Sequence, residues 1–247
     1  MQRRDPILGR HRFTPWGWLV VGSACLMLAV VIGLAAWWAA TAESRTGFYA
    51  VRGTLSSIVL DLDDADAEIV GSRTRPTVEV RRTDDFAFGR PAVSQRSVDG
   101  GVLRLDSRCP NTVLPTCSAD YRLTVPDNVP VTVRTDSGNV SFRSFRGSAR
   151  IDTSTGDISA EGFCGFSFQA RSDTGTVHAT ASCAPERLLL RSRTGDVDAV
   201  VPAGRYRVDA DSDEGARRVA GVTAADDAPF QIQVLSGTGD VDVEGGP

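Results

Sequence analysis

The sequence has no lysine, so that all 27 of its basic residues are arginine, a bias read here as genomic base composition and not as chemistry. It has only two histidines, His11 and His178. It contains no nucleophile elbow, no metal-ligand spacing of Cys and His, and no phosphate-cradling glycine loop. The Gly-x-Gly at 237–239 belongs to a repeated turn described below. On these absences no catalytic, cofactor-binding or metal-ligating residue is nominated, and an enzyme is not expected. A basic stripe is also lacking. Residues 41–247 hold 23 arginines against 30 Asp and Glu, an acidic balance that argues against nucleic acid as a partner, because phosphate binding needs clustered positive charge. At 247 residues the chain is long enough for one or two domains with a core.

Charge is missing altogether from one stretch. Residues 16–40 are uncharged and run from Trp16 to Ala40, with Trp16 and Trp18 at one end and Trp37 and Trp38 at the other. An apolar run of this length can span the hydrocarbon layer as a helix. The 19 steps from Trp18 to Trp37 make roughly 29 Å at helical rise, the distance between the two interfacial belts that tryptophan prefers. Arg3, Arg4, Arg10 and Arg12 precede it and are expected to hold residues 1–15 in the cytoplasm, with the C-terminal body outside. Ala40-Thr41-Ala42 could serve as a signal-peptide cleavage site, but the apolar run is longer than a signal core usually is. Cys25 has Gly22 where a lipoprotein signal usually has Leu, and is read as a membrane-buried cysteine.

Beyond residue 47 the chain is organised by a repeat. Gly138, Gly156, Gly175, Gly195, Gly215 and Gly239 are spaced by 18, 19, 20, 20 and 24 residues, each after Ser, Thr or Glu. The positions seven and five before each glycine, and two and four after it, are apolar in 23 of 24 cases, Arg217 being the exception. Spacing by two on both sides of a glycine turn is the period of a strand with one face inward. Fainter copies occur as Ile58, Leu60, Ala67 and Ile69 around Ala65, then as Val78 and Val80, Leu103 and Leu105, and Tyr121, Leu123 and Val125. One such unit cannot bury its own apolar face, so stacking is expected. The fold class that follows is all-β: a parallel β-solenoid of stacked 18–20-residue rungs, preceded by one transmembrane helix. An antiparallel sandwich is the alternative. The expected organisation is a cytoplasmic tail (1–15), a transmembrane helix (16–40), a linker (41–47) and an extracytoplasmic domain (48–247).

Cys164 and Cys183 each lie eight residues after a repeat glycine. On adjacent rungs they would be about 4.8 Å apart, within reach of a disulfide. Cys109 and Cys117 flank a short loop and form a second plausible pair, as suits an oxidising exterior. Two before and one after the glycines stand Asp136, Asp157, Asp173, Asp196, Asp213 and Asp240, on opposite sides of the turn in successive repeats. This is read as turn chemistry with like charges staggered. A calcium ladder is the weaker reading, because Asp61, Asp63, Asp64 and Asp66 lack the ligand pattern of a calcium loop. Four before the glycines, the outward row Arg134, Asp152, Arg171, Arg191 and Asp211 is the candidate binding face.

The turns Ser137-Gly138-Asn139-Val140, Thr155-Gly156-Asp157-Ile158, Thr174-Gly175-Thr176-Val177, Thr194-Gly195-Asp196-Val197 and Thr238-Gly239-Asp240-Val241 resemble those of the "putative adhesin" family of bacterial cell-surface proteins. The resemblance covers 129–247 well and 55–128 loosely. It implies a β-solenoid ectodomain and supplies no catalytic residues. Glu214-Gly215-Ala216-Arg217 departs from the turn. Two functions are expected to compete. One is a surface adhesin or scaffold contacting wall polymer. The other is an accessory subunit of an envelope-sensing complex, contacting a neighbouring membrane protein; behind both stands a polysaccharide-active β-helix enzyme, since the charged outward row could face a charged glycan. The lipid bilayer is the partner of the helix. The alternating acids and proline at the chain end are read as a guarded sheet edge, and a monomer is expected.

Overall fold

The computed structural model describes residues 15–110 and 117–246. The arginines and histidine of the N-terminal tail, and most of the loop between Cys109 and Cys117, lie outside them. Helix α1 (Pro15–Thr41) contains one stretch, Gly22–Thr41, that is long and apolar enough to cross a membrane. The chain divides into two units, Met1–Ala42 and Glu43–Pro247.

The strands of the second unit are β1 (Glu43–Val51), β2 (Ser57–Asp64), β3 (Ala67–Ser72), β4 (Val78–Phe86), β5 (Val93–Asp99), β6 (Val102–Arg108) and β7 (Cys117–Pro126). Then come β8 (Val131–Ser137), β9 (Val140–Arg143), β10 (Ala149–Thr155), β11 (Ile158–Phe163), β12 (Ser167–Thr174), β13 (Val177–Ala181) and β14 (Arg187–Thr194). The last six are β15 (Val197–Pro202), β16 (Arg205–Glu214), β17 (Arg217–Ala220), β18 (Thr223–Ala224), β19 (Gln231–Thr238) and β20 (Val241–Gly246). Because β1 starts at Glu43, most of the stretch expected as a linker (41–47) is strand.

Two ten-stranded sheets result, ordered β1-β4-β7-β3-β9-β11-β13-β15-β20-β17 and β18-β16-β19-β14-β12-β10-β8-β2-β6-β5. The two strands on either side of each repeat glycine go to different sheets, and their inward residues meet between them. Of the 24 apolar-pattern positions, Val208 and Val219 are only half-buried and Arg217 is exposed. The other 21 are buried. Near the middle Phe142, Phe145, Phe163 and Phe168 meet edge-on or tilted at centroid distances of 5.2–5.8 Å. Burying each such ring contributes about 1.5–3 kcal/mol.

The expected all-parallel solenoid of successive rungs is corrected by this topology, because both sheets are mixed. β1 pairs antiparallel with β4, β4 with β7, and β5 with β6. The last pair is a hairpin closed by Gly100 and Gly101, both at positive φ (55° and 79°), the conformation of a primed two-residue turn. The order is also not that of the sequence. β19 stands between β14 and β16, and β20 between β15 and β17. The chain end is therefore inside its sheet and guards no edge. That edge is β17, where Arg217 and Arg218 are exposed, and charge on an edge strand is what discourages further pairing.

Candidate functional site

The turn glycines carry close backbone approaches. Gly138, Gly156, Gly175, Gly195 and Gly239 have φ of 132°, 148°, 147°, 139° and 141°. A Cβ on Gly175 would lie 2.2 Å from the Gly156 carbonyl oxygen, so only glycine fits. Gly215 is not in that left-handed set; it joins β16 to β17, the edge strand of the first sheet. Beneath the turns runs a buried hydroxyl ladder. Ser172 Oγ donates to the Gly156 carbonyl at 3.0 Å, Ser192 to Gly175 at 2.8 Å, Ser236 to Gly195 at 2.8 Å and Ser212 to Gly239 at 2.7 Å. Its sequence signal, Ser or Thr three before every glycine, is as regular as the apolar pattern. Thr153 occupies the same row with its hydroxyl buried and unpartnered among the described residues.

Above the turns runs a second ladder. Asp66 accepts the Asn139 backbone N–H at 2.6 Å, Asn139 that of Asp157 at 2.9 Å, and Asp157 that of Thr176 at 2.7 Å. It resumes with Asp196 accepting from Asp240 and Asp240 from Ala216, both at 2.7 Å. The acids after the glycines are thus hydrogen-bond acceptors. The expected staggering fails where β20 meets β15, since Asp196 and Asp240 lie on the same side of adjacent turns. Asp61 and Asp63 are engaged by Arg108 at 2.9 and 3.4 Å, and Asp63 also accepts the Cys109 N–H at 3.1 Å. Burial pushes the carboxyls of Asp64 and Asp120 up from the usual range, with Asp66 adding repulsion to both. Asp198 is raised by burial, with His178 pulling the other way. Burial also lifts the Tyr49 phenol to about 12. Among the described residues no group of three or more His, Cys, Asp or Glu is arranged to hold a metal.

Both cysteine pairs are bonded, Cys109 to Cys117 with Cα atoms 5.8 Å apart and Cys164 to Cys183 at 5.0 Å. The candidate face is one continuous row across the second sheet. Strand register sets Asp61 beside Arg134, Arg134 beside Asp152, Asp152 beside Arg171 and Arg171 beside Arg191. Leu235 then follows, and Asp211 after it. Sequence order alone hid Leu235, because β19 enters out of turn. Shallow depressions of about 230, 320 and 340 Å³ line this face, and Arg171 borders all three. The first sheet carries a matching outward row from Phe48 through Arg81, Arg122, Glu68, Ser141 and Ser159 to His178, Asp198, Asp242 and Arg218. There Glu68 is shared by Arg122 at 2.8 Å and Arg143 at 3.2 Å, and Arg81 covers the Phe48 ring at 4.4 Å.

No protein-family model matches the sequence, and no curated protein matches it. Solved structures do. A "putative cell adhesion protein" from Clostridium sporogenes is similar at a TM-score of 0.49 and 9% identity, over 83% of this chain and 100% of that one. A "putative adhesin" from Bacteroides fragilis matches at 0.32 and 12% identity, over 81% and 97%. A "putative lipid binding protein" from Parabacteroides distasonis matches at 0.28 and 9% identity, over 81% and 96%.

Proposed function

We propose that the chain is a bacterial surface protein, held by α1 in the membrane with its N-terminus inside, whose β-domain is a non-catalytic binding or scaffolding module outside. The observation that carries this reading is the open, nine-strand outward row of the second sheet, from Gln95 and Asp106 through Asp61 to Asp211. Strand pairing fixes its side chains about 4.8 Å apart, and they spread along a face where a catalytic set would converge on one point. Such a surface suits an extended partner. Two disulfides support an oxidising compartment, and the uncharged span of α1 supports an anchor.

The test is made on cells producing the full chain. Protease added outside intact spheroplasts should remove the β-domain, and the remaining fragment should stay with the membrane through alkaline extraction. Full-length protein in detergent should also co-sediment with isolated wall material. A β-domain protected in intact cells, or a chain released by signal cleavage, overturns the anchored reading. Absence of any wall association overturns the wall-binding one.

A further inference from the structure

The out-of-order entry of β19 changes the electrostatics of the second sheet. Had the strands followed sequence order, Asp211 would stand beside Arg191 and Asp209 beside Leu189. Instead Leu235 and Gln233 take those places, and Gly237 lies against Arg193. The outward side of β14 carries Arg187, Leu189, Arg191 and Arg193 and no acid. On β12, Arg171 stands directly beside Arg191. Asp173 is the one acid reached by this group, at 3.0 Å from Arg193 and 3.8 Å from Arg171. Arg187 and Arg191 make no ion pair among the described residues. Like charges one strand apart repel, so the outward face of these three strands sets Arg171, Arg187, Arg191 and Arg193 against Asp173 alone, with Asp152 on one border and Asp211 and Asp213 on the other.

Beside the arginines stand Gln169 and Gln233, whose amides already donate to Ser167 Oγ at 3.2 Å and Asp209 Oδ2 at 2.7 Å and keep their carbonyl oxygens and second N–H for a ligand, and Leu189 and Leu235, which are apolar. Depressions of about 230 and 320 Å³ flank the row, and Arg171 and Arg191 border both. A guanidinium fork matches a carboxylate in two parallel hydrogen bonds, amides match sugar hydroxyls, and leucines match the apolar face of a sugar ring. We infer that the outward face of β12, β14 and β19 binds a carboxylate-bearing polysaccharide lying across the strands along Arg171, Arg191 and Leu235. This rests on the surface-binding reading above and names its ligand class. A phosphate polymer without rings would satisfy the arginines but leave the leucines and amides without a role.

The experiment titrates full-length protein in detergent micelles with polygalacturonate oligosaccharides by calorimetry. The wild type should bind, more weakly as salt rises. Arg171→Gln and Arg191→Gln should each weaken binding by about tenfold, as expected for a lost charge-assisted hydrogen bond. Leu235→Asp, which places an acid beside Arg191 from an outward, half-buried position, should weaken it at least as much with the unfolding temperature unchanged. Arg104→Gln, on the same sheet at β6, should bind as wild type. No binding of polygalacturonate, variants that bind equally, or tighter binding of poly(glycerol phosphate) would each overturn the inference. If the wild type co-sediments with wall material but binds no polygalacturonate, this inference fails and the surface reading stands. A β-domain found inside the cell would remove that reading whatever polygalacturonate does.

Discussion

Asp196 Oδ1 accepts the backbone N–H of Asp240 at 2.7 Å, although 44 residues separate them and another repeat lies between in sequence. The bond marks where the final repeat is set against the fourth. Asp196→Ala should cost about 1 kcal/mol by leaving that N–H without its acceptor. Asp196→Asn keeps an acceptor oxygen without the charge beside Asp240 and should cost nothing. Chemical unfolding of the three proteins distinguishes these outcomes, and equal loss in both variants would show that charge, and not the acceptor, matters.

Gly175 combines a left-handed φ of 147° with a carbonyl 2.2 Å from any Cβ. Gly175→Ala is expected to cost about 3 kcal/mol or more. Gly47 has nothing within 4 Å of its Cβ position and no left-handed φ, so Gly47→Ala should stay within about 0.5 kcal/mol. Thermal unfolding of the pair tests whether the close approach, and not glycine content, sets stability.

The hydroxyl ladder predicts opposite signs at two equivalent positions. Ser192→Ala removes the donor that satisfies the Gly175 carbonyl at 2.8 Å and should destabilise by about 1–2 kcal/mol. Thr153→Val replaces a buried, unpartnered hydroxyl by a methyl group and should stabilise by about 1 kcal/mol. Denaturant midpoints at constant slope would reveal both changes, and a stabilised Ser192→Ala would sink the ladder.

Asp120 lies beside Asp66, Asp64 and Asp85, and its carboxyl is raised by burial first and by these acids second. A carboxyl with a raised folded pKa holds its proton more tightly when folded. Its contribution to stability is therefore full at acid pH, below the unfolded value, and lost as pH rises through the folded one. Asp120→Asn, which retains an oxygen for the Asp66 N–H at 3.4 Å, should raise the unfolding temperature at pH 7. The advantage should shrink towards pH 4. An advantage that grows on acidification would reverse the assignment.

The strands were legible because Val131, Ile151, Phe168, Leu188 and Ile232 and their partners alternate without interruption, and one inward face requires that period. Cys164 and Cys183 were legible from the same register. The order of the strands was not. β16 and β19 both carry Ser three before Gly and both fit beside β14, so local pattern cannot choose between them. The only trace is the longer 24-residue step from Gly215 to Gly239. The antiparallel strands were missed for a different reason. Asp99-Gly100-Gly101 is a hairpin signal, but Leu103 and Leu105 also carry the apolar spacing of the repeat, so the local pattern of β6 fits a parallel rung as well. Strand register sets Arg134, Arg171 and Arg191 in one outward row, while the neutral neighbour that leaves Arg191 without an ion pair among the described residues depends on a pairing across 44 positions (Arg191 to Leu235).

With β19 and β20 each wedged between two earlier strands, closure of either sheet must wait for the last segment to be made. A nascent chain halted before Gln231 exposes the long edge of β14 on one sheet and β15 on the other, with β17 left without its partner and β16 with only the two-residue β18. Growth from the N-terminus can order the early strands but cannot finish the domain, and the late pairings of β19 with β14 and β20 with β15 are non-local contacts of the kind that slow folding. The topology therefore acts as a check that β19 and β20 have been made: a polypeptide lacking them stays open to proteolysis and self-association, and one that includes them covers the edges of β14 and β15.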